Sequence, residues 1–300
     1  MRLAFLHLTQ NLAIWSLPIE PNQGKVTGEL KRLTQEAAHD FFPALSRDGT
    51  KMVWVSSRTG SQEIWIRNLR GGEESALTAT RSAKWYPRFS SDGSRVSYSE
   101  SHSWNVYVVP SAGGPPEMVC EGCGQATGWS PDGKRIIGNP VDGRAWVLGL
   151  ASRRKTALFS SRHWIATGEF SPDGNWFSFL DGVGPSSDTV VAPFQGEGLV
   201  GESAWVAITK AGGPGNWSPD GKLLYTISVR DGLFACIWAQ RLDPATKRPV
   251  GAPYAVFHSH NPRISLSAGG DLSLSIGPDS MLFHMGEQTG NIWMAEWKPE

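Results

Sequence analysis

The stretch Ser130-Pro131-Asp132-Gly133 belongs to a phrase that recurs along the chain and decides its fold. Each copy has a serine, a variable residue, an aspartate and a glycine, and a strand-like segment follows it. Asp-Gly favours a tight turn, because glycine accepts a positive φ and the aspartate side chain can bond nearby backbone amides. Four further copies begin at Ser46, Ser90, Ser171 and Ser218, and a degraded copy, Gly277-Pro278-Asp279-Ser280, comes near the end.

The spacing of these copies indicates a repeat. Successive aspartates stand 44, 40, 41, 47 and 59 residues apart, and the longest interval contains an insertion around residues 243–253. A four-stranded propeller blade takes about 40–45 residues. After each turn the sequence predicts one alternating strand, such as 52–55, and then a second strand with a central aromatic, such as 63–66. Such units cannot bury both faces alone, so they stack around an axis as a β-propeller.

The sequence therefore predicts an all-β fold, a single β-propeller domain of seven four-stranded blades over residues 1–300. The first blade lacks its inner strand and the last lacks its outer strand, which predicts an open seam. Six blades, or part of a larger propeller array, are the alternatives. A start without the turn phrase also predicts that the chain is the C-terminal part of a longer protein, or that its start is misassigned. The predicted blades cover residues 1–40, 41–85, 86–126, 127–166, 167–213, 214–265 and 266–300.

Composition narrows the possible partners. The chain has 28 basic and 28 acidic residues, and it has no basic stripe of the kind that neutralises nucleic-acid phosphates. No run of about 18 apolar residues is present, so we expect no membrane insertion. Three cysteines do not make a disulfide-stapled small domain. We expect a soluble monomer without nucleic acid as a partner.

One run of motifs resembles a known family. It begins at Ser46-Arg47-Asp48-Gly49-Thr50-Lys51, continues through Ser57-Arg58-Thr59-Gly60 and ends at Ile64-Trp65. This run is similar to the WD-repeat-like propeller repeats of the TolB family, and to propellers that end bacterial Ser/Thr kinase or winged-helix regulator proteins. The resemblance implies a sensing or protein-binding module, often outside the cytoplasmic membrane, although the chain shows no export signal. The sequence motifs of a kinase domain are missing.

The sequence motifs favour binding over catalysis. The chain has no Gly-x-Ser-x-Gly and no His-Glu-x-x-His, and aspartates at the same place in every repeat shape turns. The sequence predicts a non-catalytic module without a cofactor that binds a protein or peptide, with a small ligand as a further possibility. The alternative is a propeller enzyme, a carbohydrate lyase or hydrolase, with its site at the channel mouth.

Residues that depart from the repeat on one face are the candidate contacts. In a propeller, the loops joining strand four to the next strand one, and strand two to strand three, share a face. Aromatic residues there carry particular weight, because they are enriched in interaction hot spots. The candidates are Arg58, Trp85, His102, Gln125, Trp164, Arg230, Asp231 and Glu287, with Asp40 and Glu100 as further members.

Two small clusters are candidates for thiol or metal chemistry. Cys120 and Cys123 form a Cys-x-x-Cys, which predicts a loop-stabilising pair, as thiols or a disulfide, with half a metal site or a redox pair as alternatives. His258 and His260 can place two imidazoles on one side of a strand. A metal ion there needs a third ligand, for which His163 or His284 is the candidate.

Overall fold

The computed structural model describes residues 2–35, 38–139, 143–159, 164–182, 187–196, 198–229, 234–261, 263–266 and 273–296. Their strands form six antiparallel sheets. Five sheets each take four consecutive strands, and we name them blades I to V in chain order. The sixth, the closing blade, combines strands from both ends of the chain. Of the residues described, none lies in a helix long and apolar enough to cross a membrane.

Blades I to V repeat one pattern, with strands ordered from the inside of the ring to the outside. The opening segments of the chain form β1 (Arg2–Glu20), β2 (Lys25–Val26) and β3 (Lys31–Arg32). Blade I contains β4 (Asp40–Leu45), β5 (Lys51–Ser56), β6 (Glu63–Asn68) and β7 (Ser75–Ala76). Blade II contains β8 (Lys84–Phe89), β9 (Arg95–Glu100), β10 (Val106–Pro110) and β11 (Glu117–Cys120).

The remaining strands complete the ring. Blade III contains β12 (Gln125–Trp129), β13 (Arg135–Asn139), β14 (Trp146–Gly149) and β15 (Lys155–Ala157). Blade IV contains β16 (Ile165–Phe170), β17 (Trp176–Asp181), β18 (Asp188–Pro193) and β19 (Val206–Thr209), with a short 3-10 helix at Glu202–Ala204. Blade V contains β20 (Asn216–Trp217), β21 (Leu223–Ser228), β22 (Cys236–Arg241) and β23 (Tyr254–His258). The chain then forms β24 (Ile264–Ser265), β25 (Leu274–Ile276) and β26 (Ser280–Glu296).

The predicted propeller is confirmed, and the count is corrected from seven blades to six, the stated alternative. β1 pairs with β26 from Arg2↔Glu296 to Pro18↔Ser280, so the two end segments, predicted as separate incomplete blades, share one sheet. β25 supplies its inner strand, and β2 and β3 pair with the far edge of β1. The inner strands contact one another in the order β4, β8, β12, β16, β20, β25 and back to β4. The predicted open seam is therefore closed.

The recurring turn phrase builds the same hydrogen-bonded turn between strands one and two of blades I to V. In blade I, Ser46 Oγ donates to Asp48 Oδ1 over 2.6 Å and accepts from the backbone N–H of Lys51 over 2.9 Å. The four other phrases have matching serine–aspartate distances of 2.5–2.7 Å. This bond is the main reason why the pKa of Asp48 falls to about 2. Repetition of the aspartate is thus explained by turn structure.

Each turn also packs against the next blade. The turn glycines have φ between 66° and 72°, a region that favours glycine. A Cβ added at Gly49 would lie 2.9 Å from Cδ of Pro278, and one at Gly174 would lie 3.3 Å from Cδ of Pro131. The variable residue of one phrase therefore occupies the space beside the glycine of the next. The turns form a ring on one face of the propeller, here called the turn face.

Apolar side chains fill the space between neighbouring sheets. Between blades I and II, Val53 and Ile64 pack in one cluster with Val96 and Tyr98, and all four are buried. The closing blade and blade V share a second cluster of buried apolar side chains, which includes Phe283 and Ile237. These interfaces account for the aromatic and branched residues that recur in the strands.

Gly49→Ala should destabilise the propeller more than Gly60→Ala. Both positions have positive φ, at 69° and 86°, so both variants lose about 1–2 kcal/mol from the left-handed backbone. A Cβ at Gly60 meets nothing within 4 Å, whereas one at Gly49 collides with Pro278. We expect an extra loss of about 1–3 kcal/mol for Gly49→Ala, measured by urea unfolding. Equal losses in the two variants would contradict the packing of turn against turn.

Candidate functional site

The inner strands of blades I and II carry a bulge near the face opposite the turns, here called the loop face. In β4 the register shifts between Phe41 and Ala44, and Phe42 has φ 53°. The equivalent positions of β8 behave alike, and Tyr86 has φ 54°. A proline follows each of these aromatics in the sequence. β12 and β16 shift register at the equivalent place without a proline, so the bulge belongs to the repeat. Proline has no N–H to donate to the ladder, so it is compatible with this break in pairing.

A cavity of about 300 Å³ lies beside these bulges. It reaches from the closing blade across blade I to the first strand of blade II. Its aromatic side chains pack closely: the ring centroids of Phe42 and Trp85 are 5.8 Å apart, and those of Phe42 and His284 are 6.2 Å apart. The lining residues are Leu12, His39, Phe41, Phe42, Ser57, Gln62, Trp85 and His284.

Two polar atoms of this lining have no protein partner. The Nδ1 atom of His284 and the Nε1 atom of Trp85 are buried and make no hydrogen bond within the described part of the chain. His284 is 3% exposed, and burial lowers the pKa of its imidazole to about 4. The ring is therefore neutral at pH 7 and can give or take a hydrogen bond. Buried polar atoms without partners are costly, which makes them candidate contacts for a ligand.

A buried ion pair fixes the entry to β8 and so places Trp85. Lys84 is fully buried, and its Nζ lies 3.2 Å from Oε2 of Glu63. The same carboxylate accepts bonds from Thr78 Oγ1 at 2.6 Å and from the backbone N–H of Arg81 at 2.8 Å. These contacts satisfy both charges and hold the connection between blades I and II. The adjoining side chain of Trp85 is thereby fixed at the cavity wall.

Arg88 and Glu169 are two residues of opposite charge on the inner strands β8 and β16. Burial raises the pKa of Glu169 to about 7, although the Trp217 backbone N–H and the positive charge of Arg88 oppose this shift. Oε1 of Glu169 accepts that N–H over 2.8 Å. Nε of Arg88 donates to the carbonyl of Thr127 over 3.2 Å. Gly128 lies in blade III, between the blades of Arg88 and Glu169. A Cβ at this glycine would lie 3.2 Å from Cα of Glu169.

Arg88 and Glu169 occupy the same place in the repeat, two residues before the turn serine. Blades I, III and V have Ala44, Gly128 and Asn216 there. The next residue is apolar and the turn serine follows it in blades I to V, whereas this position changes from uncharged to charged between blades. That variation was the available sequence signal for the two charged residues, which the motif searches missed.

Structural neighbours agree on the fold. A putative TolB from Agrobacterium tumefaciens matches with a TM-score of 0.65 and 17% identity, over 94% of this chain and 99% of that chain. TolB from Acinetobacter baumannii matches with a TM-score of 0.58 and 16% identity, over 82% and 66%. The chain has a TolB-type β-propeller fold. An oligogalacturonate lyase in complex with manganese is also similar, with a TM-score of 0.50 and 12% identity over 84% and 90%.

At these identities the likeness establishes the fold alone. No known family model matches the chain, and no curated protein sequence matches it either.

The predicted contact residues of this TolB-type propeller differ from one another in their surroundings. Trp85 lines the cavity, as described. Arg58 is enclosed: its guanidinium lies 4.4 Å from the ring of Trp65, pairs with Glu74 and stands 3.7 Å from Asp40. Its side chain is 9% exposed, so it holds the loop beneath the face. Asp40 is likewise buried, and it accepts a bond from the indole N–H of Trp54 over 3.2 Å.

The other predicted contacts that the structure describes lie outside the cavity lining. His102 and Trp164 are exposed and remote in sequence from the cavity lining, and Gln125 is half-buried at the start of β12. Glu287 pairs with Arg263 at 3.1 Å, and Glu100 accepts a bond from Ser103 Oγ over 2.9 Å. Arg230 and Asp231 lie outside the described residues. Of the cavity lining, the sequence prediction had named Trp85 as a contact, and His284 only as a possible metal ligand.

The thiol and metal candidates also have defined places. Cys120 and Cys123 are bonded to each other as a disulfide, one of the predicted forms of a loop-stabilising pair. His258 and His260 converge with Cys236 rather than with His284, which lies in the cavity. His163, the other candidate third ligand, lies outside the described residues. Cys236, which the sequence pattern places in a strand, is thus the third side chain of this cluster.

His284 should make the fold less stable in acid. Its pKa is about 4 in the folded protein and about 6.5 in the unfolded chain, so the unfolded state takes up the proton first. The contribution of this neutral imidazole to the free energy of unfolding is complete above pH 6.5. It is lost as pH falls towards 4, by up to about 3 kcal/mol.

Urea unfolding of the wild type and His284→Asn at pH 7.5, 6, 5 and 4 measures this contribution as the difference between the two proteins. We expect the wild type to lose more stability than the variant over this range. Ser57→Ala, which changes the same cavity without a titrating group, should retain the wild-type pH dependence. The same pH dependence in His284→Asn would contradict a buried neutral imidazole.

Proposed function

We propose that this TolB-type propeller is a non-catalytic binding module that holds a side chain of a protein or peptide partner in the loop-face cavity. The observation that carries the proposal is the lining itself. Aromatic rings, and buried ring nitrogens that have no partner among the described residues, surround about 300 Å³ of space. Binding pockets combine a mostly apolar wall with a few placed polar groups in this way.

The size and shape of the cavity favour a single large side chain. A cavity of about 300 Å³ is at the low end of the range for small-molecule pockets. Phe42 and Trp85 provide ring surfaces for aromatic contact, and such pairs add about 0.5–1.5 kcal/mol beyond their buried area. The bulge that turns Phe42 into this position requires a left-handed residue. Strain of this kind is concentrated at binding sites.

The polar groups of the cavity favour an uncharged partner that hydrogen-bonds. The indole N–H of Trp85 donates only, whereas a neutral imidazole offers a donor on one nitrogen and an acceptor on the other. A hydroxyl can serve both at once. A charged side chain would need a counter-charge, and His284 is neutral at pH 7. These features point to a tyrosine of an extended peptide as the preferred occupant.

Trp85→Ala should weaken peptide binding strongly. Selection from a phage-displayed random heptapeptide library on the immobilised protein supplies the probe, and we expect tyrosine to be enriched. The synthetic form of an enriched peptide should bind Trp85→Ala about 30-fold or more weakly, since hot-spot residues contribute at least about 2 kcal/mol. Trp293→Ala is the matched control, because Trp293 is 54% exposed and lies outside the cavity lining.

Two results would overturn the proposal. One is equal affinity of the enriched peptides for the wild type and Trp85→Ala, with thermal stability unchanged. The other is catalysis. We expect oligogalacturonate incubated with the protein and Mn²⁺ to give no unsaturated product. Turnover that a cavity variant abolishes would favour the lyase alternative. That assay is suggested by the fold shared with an oligogalacturonate lyase.

A further inference from the structure

Three metal-ligating side chains meet at the loop-face end of blade V. Cys236 is the first residue of β22 and stands directly opposite His258, the last residue of β23, in the pairing of these strands. Its Sγ lies 3.6 Å from Nδ1 of His258 and 3.3 Å from Nε2 of His260. The three ligand atoms all lie within 4.8 Å of one another.

Local structure holds both imidazoles on the same side. Ser259, between them, is 2% exposed, and its Oγ accepts the backbone N–H of Leu266 over 3.3 Å. Because alternate residues of an extended segment point to opposite sides, His258 and His260 both turn outwards. An aromatic ring flanks each imidazole: Trp238 stands 6.3 Å from His258 and Phe234 stands 5.8 Å from His260.

The distances between ligand atoms fit a tetrahedral zinc ion. Zinc bonds of about 2.3 Å to sulfur and 2.0–2.1 Å to nitrogen place sulfur and nitrogen about 3.5 Å apart in a tetrahedron. The two sulfur–nitrogen distances observed, 3.3 and 3.6 Å, lie on either side of that value. In a hydrogen-bonded cluster without a metal ion, the thiol would donate to one imidazole and accept from the other.

We propose that Cys236, His258 and His260 bind one Zn²⁺ ion, to which the described residues supply these three ligands. Thiolate and imidazole are zinc ligands, whereas Mg²⁺, Ca²⁺ and Mn²⁺ prefer oxygen. Cys236 is buried and both histidines are exposed, so the ion lies at the surface with the sulfur beneath it. The site shares no residue with the loop-face cavity and is independent of the function proposed for it.

Titration of the chelator-treated full chain with Co²⁺, followed by displacement with Zn²⁺, tests the site. We expect one equivalent of Co²⁺ to produce visible bands of a tetrahedral ion and a near-ultraviolet thiolate-to-cobalt band. Cys236→Ser should lose the near-ultraviolet band. His260→Gln should weaken binding by at least about tenfold, and because His260 is exposed this variant keeps the test independent of folding.

His102→Gln is the matched control, since it removes an exposed loop-face histidine outside the cluster, and it should bind Co²⁺ as the wild type does. The proposal is overturned by any of three results. These are no binding of Co²⁺ or Zn²⁺ to the wild type at micromolar concentrations, a near-ultraviolet band that persists in Cys236→Ser, or saturable binding of Cu²⁺ without binding of Zn²⁺.

Discussion

The pairing of β1 with β26 is the interaction on which the rest of the structure depends. It joins the two ends of the chain in one sheet, with Cα partners from Arg2↔Glu296 to Pro18↔Ser280. A ring of stacked sheets buries the faces of every blade only when the first and last blades meet. Sheet pairing between distant segments also costs loop-closure entropy, which the buried interfaces on both sides must offset.

Both neighbours secure the closing blade. On the side of blade V, the hydroxyl of Tyr225 donates to the carbonyl of Pro21 over 2.5 Å, and that of Tyr254 donates to Gln23 over 2.7 Å. On the side of blade I, the backbone N–H of Leu45 donates to Ser275 Oγ over 2.9 Å. Closure therefore brings His284 of β26 next to Phe42 of β4, and the cavity exists because these two strands meet.

Local chemistry could be predicted from the sequence, whereas the joining of distant segments could not. The Asp-Gly turns and the strand aromatics follow from a pattern within about 45 residues, and both have the expected structure. The count of seven failed because two half-blades at opposite ends look, in sequence, like two damaged repeats. A single sheet shared by residues 2–20 and 280–296 leaves no local signal of which strands will pair.

In the candidate site, too, local features could be predicted from the sequence, whereas contacts between distant segments could not. Trp85 departs from the repeat and lines the cavity, while its contact with a partner stays a prediction. Arg58 departs from the repeat for the structural reason that it is enclosed by Asp40, Glu74 and Trp65. The place of Cys236 beside the two histidines could not be predicted, because a lone cysteine in a strand pattern indicates core packing until its cross-strand partner is known. Its pairing with His258 depends on the hairpin register, which the insertion before β23 obscures.

Ring closure can be tested most directly by cross-linking across the β1–β26 pair. Asn11 and Glu287 are direct partners, so the double variant Asn11→Cys/Glu287→Cys should form an intramolecular disulfide, identified by mass spectrometry of the linked peptides. In Asn11→Cys/Gln288→Cys the second side chain points to the other face of the sheet, and the bond should not form. Equal cross-linking in the two double variants, or none in the first, would contradict a propeller closed by its two ends.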